Sequence, residues 1–403
     1  MNRKFGKSCM SVAVCLCSIA ITSASGEDMA AEPLNQFSWE LFQNLSASDD
    51  PAGNILISPY SVGTALGMAG AGARQETASE IRSVLGFESA EEEWQASLGK
   101  LTKDLNRSRG DGAPDLVAAN RLWAQEGYPL VPGFLQQIAS EYAGGLDSVD
   151  FSGNPLQARD TINRWVAEMT QQMIPEVIPA GRIDPTTRLI ITNAVYLKAQ
   201  WKAPFESIHT KAAPFFLNAE KKIDVPFMTQ WESHSVGNGD SCQLIELLYL
   251  GDDLSMIILV PDKMEGVDEL VAGLTSAKFE AWLKNLAQKD VKLLLPKFSF
   301  QRDLELSGSL RELGIKAAFD SSMADFSGIS GNRDLFIGNV FQTTRIRLDE
   351  KGTEVAAATA IKHTMAMRKY QEIRVDRPFL FVIRDKKNGT NLFIGKVIEP
   401  KAE

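Results

Sequence analysis

One run, at residues 188–197, constrains the fold most because it would be apolar on both faces of a strand. Its sequence, RLIITNAVYL, is rich in β-branched and aromatic residues, which favour strands. A strand with two apolar faces belongs inside a sheet that is covered on both sides. We therefore expect this run near the centre of a large sheet.

Other apolar patterns place helices and strands around that run. Apolar residues at helical spacing predict helices at 34–47, 155–173, 266–287 and 305–316. Residues 54–61 predict a short strand that leads into a helix ending near residue 72, where glycine and alanine indicate close packing. Residues 116–142 predict a strand and then a helix. Further strand-like runs lie at 223–228, 243–249, 254–261, 291–300, 335–348, 379–384 and 391–398. Strands mixed irregularly with helices indicate the α+β class.

The chain has the composition of a folded globular protein. It has 403 residues, of which 44% are hydrophobic and 23% charged. Length alone predicts two or three domains. However, no linker, repeat or low-complexity segment divides the chain, so we expect one domain over residues 33–403.

The N-terminal segment, residues 1–25, has the pattern of a signal peptide. Arg3, Lys4 and Lys7 precede an apolar run at 10–21, and small residues follow at 22–26. The run is too short to span a bilayer, although an uncleaved anchor is the alternative. We therefore predict a secreted or extracellular protein, or a periplasmic one if the host is bacterial, without stable membrane association.

Cysteine content and charge limit the possible properties of the protein further. Three of the four cysteines lie in the N-terminal segment, so the exported chain keeps only Cys242 and cannot form an internal disulfide. Cys242 lies in an apolar stretch and is interpreted as buried packing. Removal of residues 1–25 takes the formal charge from −9 to −12. An acidic chain without a basic stripe is not expected to bind nucleic acid.

The sequence carries no enzyme motif that we recognise. Its three histidines, His209, His234 and His363, share no metal-ligand spacing. There is no P-loop or dinucleotide-binding glycine motif, and the GISGN sequence at 328–332 does not complete a nucleophile elbow. We expect no metal, no cofactor and no catalytic residues.

A stretch near the C-terminus, residues 348–368, alternates in a way that suits a strand. Thr353, Val355 and Ile361 belong to one set of alternate positions, and that set would suit a buried face. The other set is small apart from Glu354. Such a strand could enter between two existing strands without obstruction by a large side chain.

Many short motifs, in order along residues 33–400, together resemble the serpin family. The matching segments are 54–55, 58–59, 61, 127–130, 148–151, 162–166, 192–201, 225–228, 295–298, 324–329, 376–379 and 392–397. The resemblance implies a fold of three β-sheets and about nine helices with an exposed reactive-centre loop, here at about 350–370. In inhibitory serpins a serine protease cleaves this loop and forms a covalent acyl complex. The loop then inserts into the large sheet and distorts the protease.

The resemblance also assigns roles to individual residues. The hinge of the loop corresponds to Glu350, Lys351, Gly352, Thr353, Glu354, Val355, Ala356, Ala357, Ala358 and Thr359. Val355 stands where alanine is usual. The gate that controls opening of the sheet corresponds to Ser58, Ser61, Asn193 and Gln342. Gln342 replaces a histidine common in the family, so pH-dependent gating through this position is not expected. Trp201 corresponds to the tryptophan beside the point where the loop first enters the sheet.

Two counts place the cleaved bond differently. Counting from Gly352 gives Ala366–Met367, and counting back from Pro378 gives Met367–Arg368. A small or unbranched apolar specificity residue, Ala366 or Met367, predicts elastase-like or subtilisin-like targets, with chymotrypsin-like proteases as a further class. Arg368 as the specificity residue would instead predict a trypsin-like target. The alternative function is a non-inhibitory serpin that acts as a binding or chaperone-like protein. A β-prone loop also predicts a monomer at risk of loop–sheet polymerisation.

Overall fold

A computed structural model describes residues 30–48, 53–89, 91–106, 114–142, 144–353 and 369–401. The predicted signal peptide and loop residues 354–368 lie outside these ranges. The described residues form ten α-helices and fifteen strands, together with 3₁₀ turns at Ser207–His209 and Ala317–Phe319. The helices are α1 (Ala31–Ser48), α2 (Pro59–Gly72), α3 (Gln75–Val84), α4 (Glu91–Leu105), α5 (Pro132–Tyr142), α6 (Pro155–Met169), α7 (Val267–Gly273), α8 (Ser276–Lys284), α9 (Ser307–Leu313) and α10 (Ser327–Ser330).

The strands alternate irregularly with these helices, as the α+β class predicts. They are β1 (Ile55–Ile57), β2 (Asp115–Gln125), β3 (Gly145–Val149), β4 (Leu189–Gln200), β5 (Lys211–Phe216), β6 (Lys222–Asn238), β7 (Cys242–Leu248), β8 (Leu254–Pro261), β9 (Ala287–Pro296), β10 (Phe298–Glu305), β11 (Ile337–Asp349), β12 (Gly352–Thr353), β13 (Gln371–Arg374), β14 (Phe379–Asp385) and β15 (Asn391–Val397).

A six-stranded sheet has the order β10-β11-β12-β4-β2-β3. Strand β4 lies inside it, which confirms the position predicted for the 188–197 run. Its side chains alternate between two cores: Ile190 and Ala194 pack with α6, whereas Ile191 and Val195 belong to the larger core. Because both faces of β4 are covered, the 188–197 run is largely apolar on both faces.

The second sheet has the order β1-β15-β14-β8-β7-β6-β9-β13, and β5 also pairs with β6. Only the last four residues of β6, 235–238, pair with β7, whereas most of the strand pairs with β9 and β5. Hydrogen bonding through β6 therefore joins two portions into one sheet. The described residues contain two connected sheets where the serpin resemblance implied three.

Helix α2 is buried along its whole length. A Cβ atom added at Gly72 would lie 2.2 Å from Cγ1 of Ile329. Such a contact is impossible without movement of the neighbour, so the small residues of α2 allow close packing, as predicted.

Two predicted elements are divided in the structure. The single helix predicted at 266–287 is wrong, because Leu274 and Thr275 are extended and the Thr275 side chain caps α8. The single strand predicted at 291–300 is also wrong. Strand β9 ends at Pro296 in one sheet and β10 begins at Phe298 in the other, with Lys297 between them.

Candidate functional site

The site is the seam between β4 and β11 in the six-stranded sheet. Along most of its length these parallel strands pair directly, from Leu189 with Ile337 to Tyr196 with Arg345. Beyond that, β12 lies between them. Gly352 pairs with Asp349 and Gln200, on either side of it. One part of the seam is thus closed, and the other already holds residues from the start of the predicted loop.

The four predicted gate residues come together in the closed part. The backbone N–H of Ser58 donates to Oε1 of Gln342 at 3.1 Å, and Nε2 of Gln342 donates to the Ser58 carbonyl at 3.0 Å. Nε2 of Gln342 also donates to Oδ1 of Asn193. Nδ2 of Asn193 in turn donates to the Ser61 hydroxyl. All four residues are buried. These contacts tie β4 and β11 to each other and to the start of α2.

Asn120 is a gate residue that the sequence analysis did not identify. Its Oδ1 accepts hydrogen bonds from Asn193 and, at 3.0 Å, from the Ser61 hydroxyl. In the strand register Asn120 lies opposite Asn193, which lies opposite Gln342, so the three amides form a row across β2, β4 and β11. The signal in the sequence was a lone amide in the otherwise largely apolar strand run around 118–123. We call Ser58, Ser61, Asn120, Asn193 and Gln342 the gate.

Gly352 holds the hinge in a position that other residues would not tolerate. Its φ is +153°, and an added Cβ would lie 2.0 Å from the Ala199 carbonyl oxygen. Only glycine can bring the backbone this close to β4. The serpin resemblance placed Gly352 in the hinge, and the structure adds a steric requirement at the same position.

Thr353 is seated against two aromatic residues. It is 1% exposed, and its hydroxyl lies 2.8 Å from the Tyr249 hydroxyl. Tyr249 stacks on Trp201 with ring centroids 4.5 Å apart. The Trp201 indole N–H donates to the Asp349 carbonyl at 3.0 Å, and its backbone N–H donates to the Lys351 carbonyl. Trp201 therefore contacts residues 349 and 351, at the start of the predicted loop.

An ion pair fixes Glu350 beside this seat. Nζ of Lys297 lies 2.8 Å from Oε2 of Glu350, and the Thr210 hydroxyl donates to Oε1 at 2.7 Å. Burial opposes ionisation of Glu350, but the hydrogen bonds from Lys297 and Thr210 outweigh it and hold the pKa below its usual value. We call Trp201, Thr210, Tyr249 and Lys297, together with residues 349–353, the hinge site. Tyr249, Thr210 and Lys297 were not identified from the sequence.

Several predicted residues cannot be placed. Hinge residues 354–359 and the candidate bonds at Ala366, Met367 and Arg368 lie outside the described residues. Within the described part, the start of the loop at Glu350, Gly352 and Thr353 is buried.

Other chemistry receives no support from the described residues. They contain no group of three or more histidine, cysteine, aspartate or glutamate side chains placed to hold a metal ion. None of their helices is long and apolar enough to cross a bilayer. Cys242 is buried, as interpreted, and burial raises the pKa of its thiol to about 12. A thiol that stays protonated at neutral pH is not a nucleophile.

In the described residues, the six-stranded sheet holds Gly352 and Thr353, at the start of the predicted loop, between β4 and β11. The family model for serpins, described as serine protease inhibitors, matches residues 32–400, and the chain belongs to this family. At the level of the family, the activity is protease inhibition and not catalysis.

Similar proteins agree with this assignment. The human leukocyte elastase inhibitor is 38% identical over 374 residues, which cover 91% of this chain and 98% of the relative. The crystal structure of Serpin48 from Tenebrio molitor has a TM-score of 0.82 at 29% identity, and covers 92% of this chain and 97% of its own. Human thyroxine-binding globulin has a TM-score of 0.86 at 27% identity, covering 94% and 100%. The serpin fold and the α+β class are thereby confirmed.

Proposed function

We propose that this protein inhibits serine proteases as a suicide substrate, through cleavage of its loop and insertion of the loop into the six-stranded sheet. The observation that carries this proposal is the position of Gly352 and Thr353 between β4 and β11. The residues that would follow them into the seam are small or β-branched up to Ile361, apart from Glu354. The path of insertion therefore continues a pairing that has already begun.

New backbone hydrogen bonds would supply the free energy for insertion. It would replace the direct β4–β11 pairing with two new ladders, one on each side of the inserted strand, and so add roughly ten hydrogen bonds. At about 0.5–1.5 kcal/mol net for each hydrogen bond, the gain is on the order of 10 kcal/mol. Opening the gate opposes this gain because it separates Gln342 from Asn193. The favourable term is the larger, so the uncleaved protein is proposed to be metastable.

The proposed target class follows from the cleaved bond. With cleavage at Ala366–Met367, the specificity residue is a small alanine, which favours elastase-like or subtilisin-like proteases and admits chymotrypsin-like ones. The 38% identity to a leukocyte elastase inhibitor supports the first of these classes. Cleavage after Arg368 would instead select a trypsin-like protease.

The protein is further proposed to be exported and monomeric. The basic start and apolar run of residues 1–25 support export. The same loop that can enter its own sheet can enter the sheet of a neighbour, which leads to polymers. We expect polymers after mild heating below the unfolding temperature, detected by native gel electrophoresis, and a monomer unchanged at every such temperature would contradict this.

The inhibition proposal is tested by mixing the protein with elastase and with subtilisin. We expect a complex that survives boiling in detergent, and mass spectrometry of the released C-terminal peptide identifies the cleaved bond. Cleavage of the loop without loss of protease activity would contradict the proposal.

Thr353 provides the matching variant. Thr353→Arg would place a guanidinium in a position that is 1% exposed, and burial of an unpaired charge is costly. We expect this variant to be cleaved as a substrate without forming the complex. Thr353→Ser, which keeps the hydroxyl near Tyr249, is the control and should still inhibit. Undiminished inhibition by Thr353→Arg would count against insertion.

A second candidate function is that of a non-inhibitory binding protein with the same fold. The similarity to thyroxine-binding globulin favours it, since that protein is named for binding a small ligand. The two functions differ in the fate of the loop, because a binding protein need not insert it. Failure of complex formation with every serine protease class would favour this candidate.

A further inference from the structure

A small cavity lies beside the hinge site, between the end of β4 and strands β6 and β7. Trp201, Gln230, His234, Leu247 and Leu248 are among the residues that line it. The cavity volume is about 60 Å³, which holds several water-sized groups. The cavity is partly open to the surface. It shares Trp201 with the hinge site but contains no residue of the predicted loop.

Two buried side chains in this cavity have polar atoms without a protein partner. Gln230 is 5% exposed and His234 is 7% exposed. Neither Nε2 nor Oε1 of Gln230, nor Nε2 of His234, has a hydrogen-bond partner among the described residues. A buried polar group without a partner costs about 1–3 kcal/mol, so the cavity favours a ligand that supplies the missing hydrogen bonds.

The other polar groups of the cavity are already paired. Gln288 accepts from the Ser233 hydroxyl and donates to Ser235. The charged side chains are neutralised, Glu246 by Lys386 at 2.9 Å and Lys202 by Asp252 at 2.7 Å. Unsatisfied hydrogen bonding is thus concentrated on Gln230 and His234, and no free charge selects for an ion.

His234 is an acceptor at neutral pH. Burial lowers the pKa of its imidazole to about 4, against the opposing effect of a hydrogen bond to the Glu246 backbone and the nearby Glu246 carboxylate. Since Nε2 has no partner, the hydrogen bond to the Glu246 backbone is made by Nδ1, which therefore carries the proton. Nε2 then presents a lone pair, whereas Gln230 presents both a donor and an acceptor.

The spacing of these two residues sets the shape of the ligand. They are four residues apart on β6, which separates their Cα atoms by about 13 Å at about 3.3 Å per residue. A molecule that meets both side chains must be elongated. Trp201, Leu247 and Leu248 also line the cavity, and these apolar residues favour a ligand with an apolar, flat centre.

We propose that this cavity binds a small, uncharged, planar aromatic molecule that has a carboxamide at one end and a hydroxyl or N–H donor at the other. The carboxamide pairs with the amide of Gln230, donating to Oε1 and accepting from Nε2. The donor at the other end bonds to Nε2 of His234. Apart from Trp201, the site uses none of the residues of the gate or the hinge site.

The probe is 4-hydroxybenzamide, and binding to the full-length protein is measured by isothermal titration calorimetry at pH 7. We expect saturable binding, with affinity reduced about tenfold in His234→Phe and in Gln230→Leu, because each variant loses at least one hydrogen bond. Thr229→Ala is the matched control. Thr229 neighbours Gln230 on β6 but does not line the cavity, so its affinity should equal that of the unaltered protein.

A ligand series on the unaltered protein tests the same claim, and this test does not require any variant to fold. We expect 4-methoxybenzamide, which lacks the hydroxyl donor, and 4-hydroxybenzoate, which is charged, to bind at least tenfold more weakly. Absence of binding by 4-hydroxybenzamide would overturn the proposal. Equal binding of the three compounds, or binding that neither cavity variant weakens, would also overturn it.

Discussion

The gate and the hinge site lie on the same seam between β4 and β11, but they are built from different chemistry. The gate consists of uncharged amides and hydroxyls that hydrogen-bond directly across the strands. The hinge site consists of an aromatic stack and an ion pair around an inserted backbone. The gate holds two strands together, whereas the hinge site holds a third strand between them.

In the proposed mechanism, this difference lets one seam both stay closed before cleavage and accept the loop after it. The hydrogen bonds of the gate have partners only while β4 and β11 are adjacent, so separation of the strands leaves buried polar groups to be satisfied again. At the hinge site the strands are already separated by Gly352 and Thr353, and contacts from Trp201 and Tyr249 stabilise that arrangement. Opening is therefore expected to proceed from the hinge site toward the gate.

The largest effect is expected for removal of Asn193, the centre of the gate. Asn193→Ala leaves Gln342, Ser61 and Asn120 without one buried partner each, so we expect a loss of about 3–5 kcal/mol in the free energy of unfolding. Urea unfolding followed by circular dichroism measures this loss. Asn285→Ala, at the exposed end of α8, should change stability by less than about 1 kcal/mol. An equal loss of stability in the two variants would contradict the central role assigned to Asn193 in the gate.

A smaller loss is expected for the ion pair of the hinge site. Lys297→Met leaves the largely buried Glu350 carboxylate without its cation, so we expect a loss of about 2–3 kcal/mol in the same assay. Lys292→Met is the control, since Lys292 pairs with Glu372 at a similar distance, 2.7 Å, but both side chains are more exposed. That pair should contribute at most about 1 kcal/mol. Identical losses would contradict a special role for Lys297.

The indole of Trp201 should contribute less to stability but more to the position of the hinge. Trp201→Phe removes one hydrogen bond to the Asp349 carbonyl and keeps an aromatic ring next to Tyr249, so we expect a loss of about 1 kcal/mol. Amide hydrogen exchange at residues 349–353 should increase, with no change around Asn193. Faster exchange at the gate alone would show that the two sites are not distinct in the way described.

The smallest effect is expected from pH, and only the hinge site should show it. The folded-state pKa of Glu350 lies below its ordinary value of 4.5. Its pairing therefore stabilises the fold above about pH 4.5 and is lost as the pH falls through the folded-state pKa. We expect the stability difference between the unaltered protein and Glu350→Gln to shrink at acid pH. The difference for Gln342→Leu should stay constant, because no gate side chain titrates in this range.

Much of this comparison was predictable from the sequence. The two apolar faces of 188–197 placed β4 inside a covered sheet, and the serpin motifs assigned Ser58, Ser61, Asn193, Gln342 and Trp201 to one functional region. In the structure these residues line a single seam. Local patterns and motif order were sufficient here because each of these residues lies within a recognisable short segment.

The remaining residues depended on pairing between distant segments. Asn120 joins the gate only because β2 pairs with β4 in one register, and Lys297 reaches Glu350 only because the chain passes between the two sheets at that residue. In the sequence, His234 shared no metal-ligand spacing with the other histidines. Only the folded chain shows that it is buried in a cavity with an unpartnered Nε2. No periodicity or residue spacing in a single sequence predicts these contacts.

The melting temperature before and after loop cleavage tests the central claim most directly. The protein is cut within residues 354–368 by a protease that it does not trap, and both forms are heated in a calorimeter. If the loop enters the seam, the added hydrogen bonds should raise the melting temperature by more than about 10 °C. An unchanged melting temperature after complete cleavage would contradict insertion between β4 and β11.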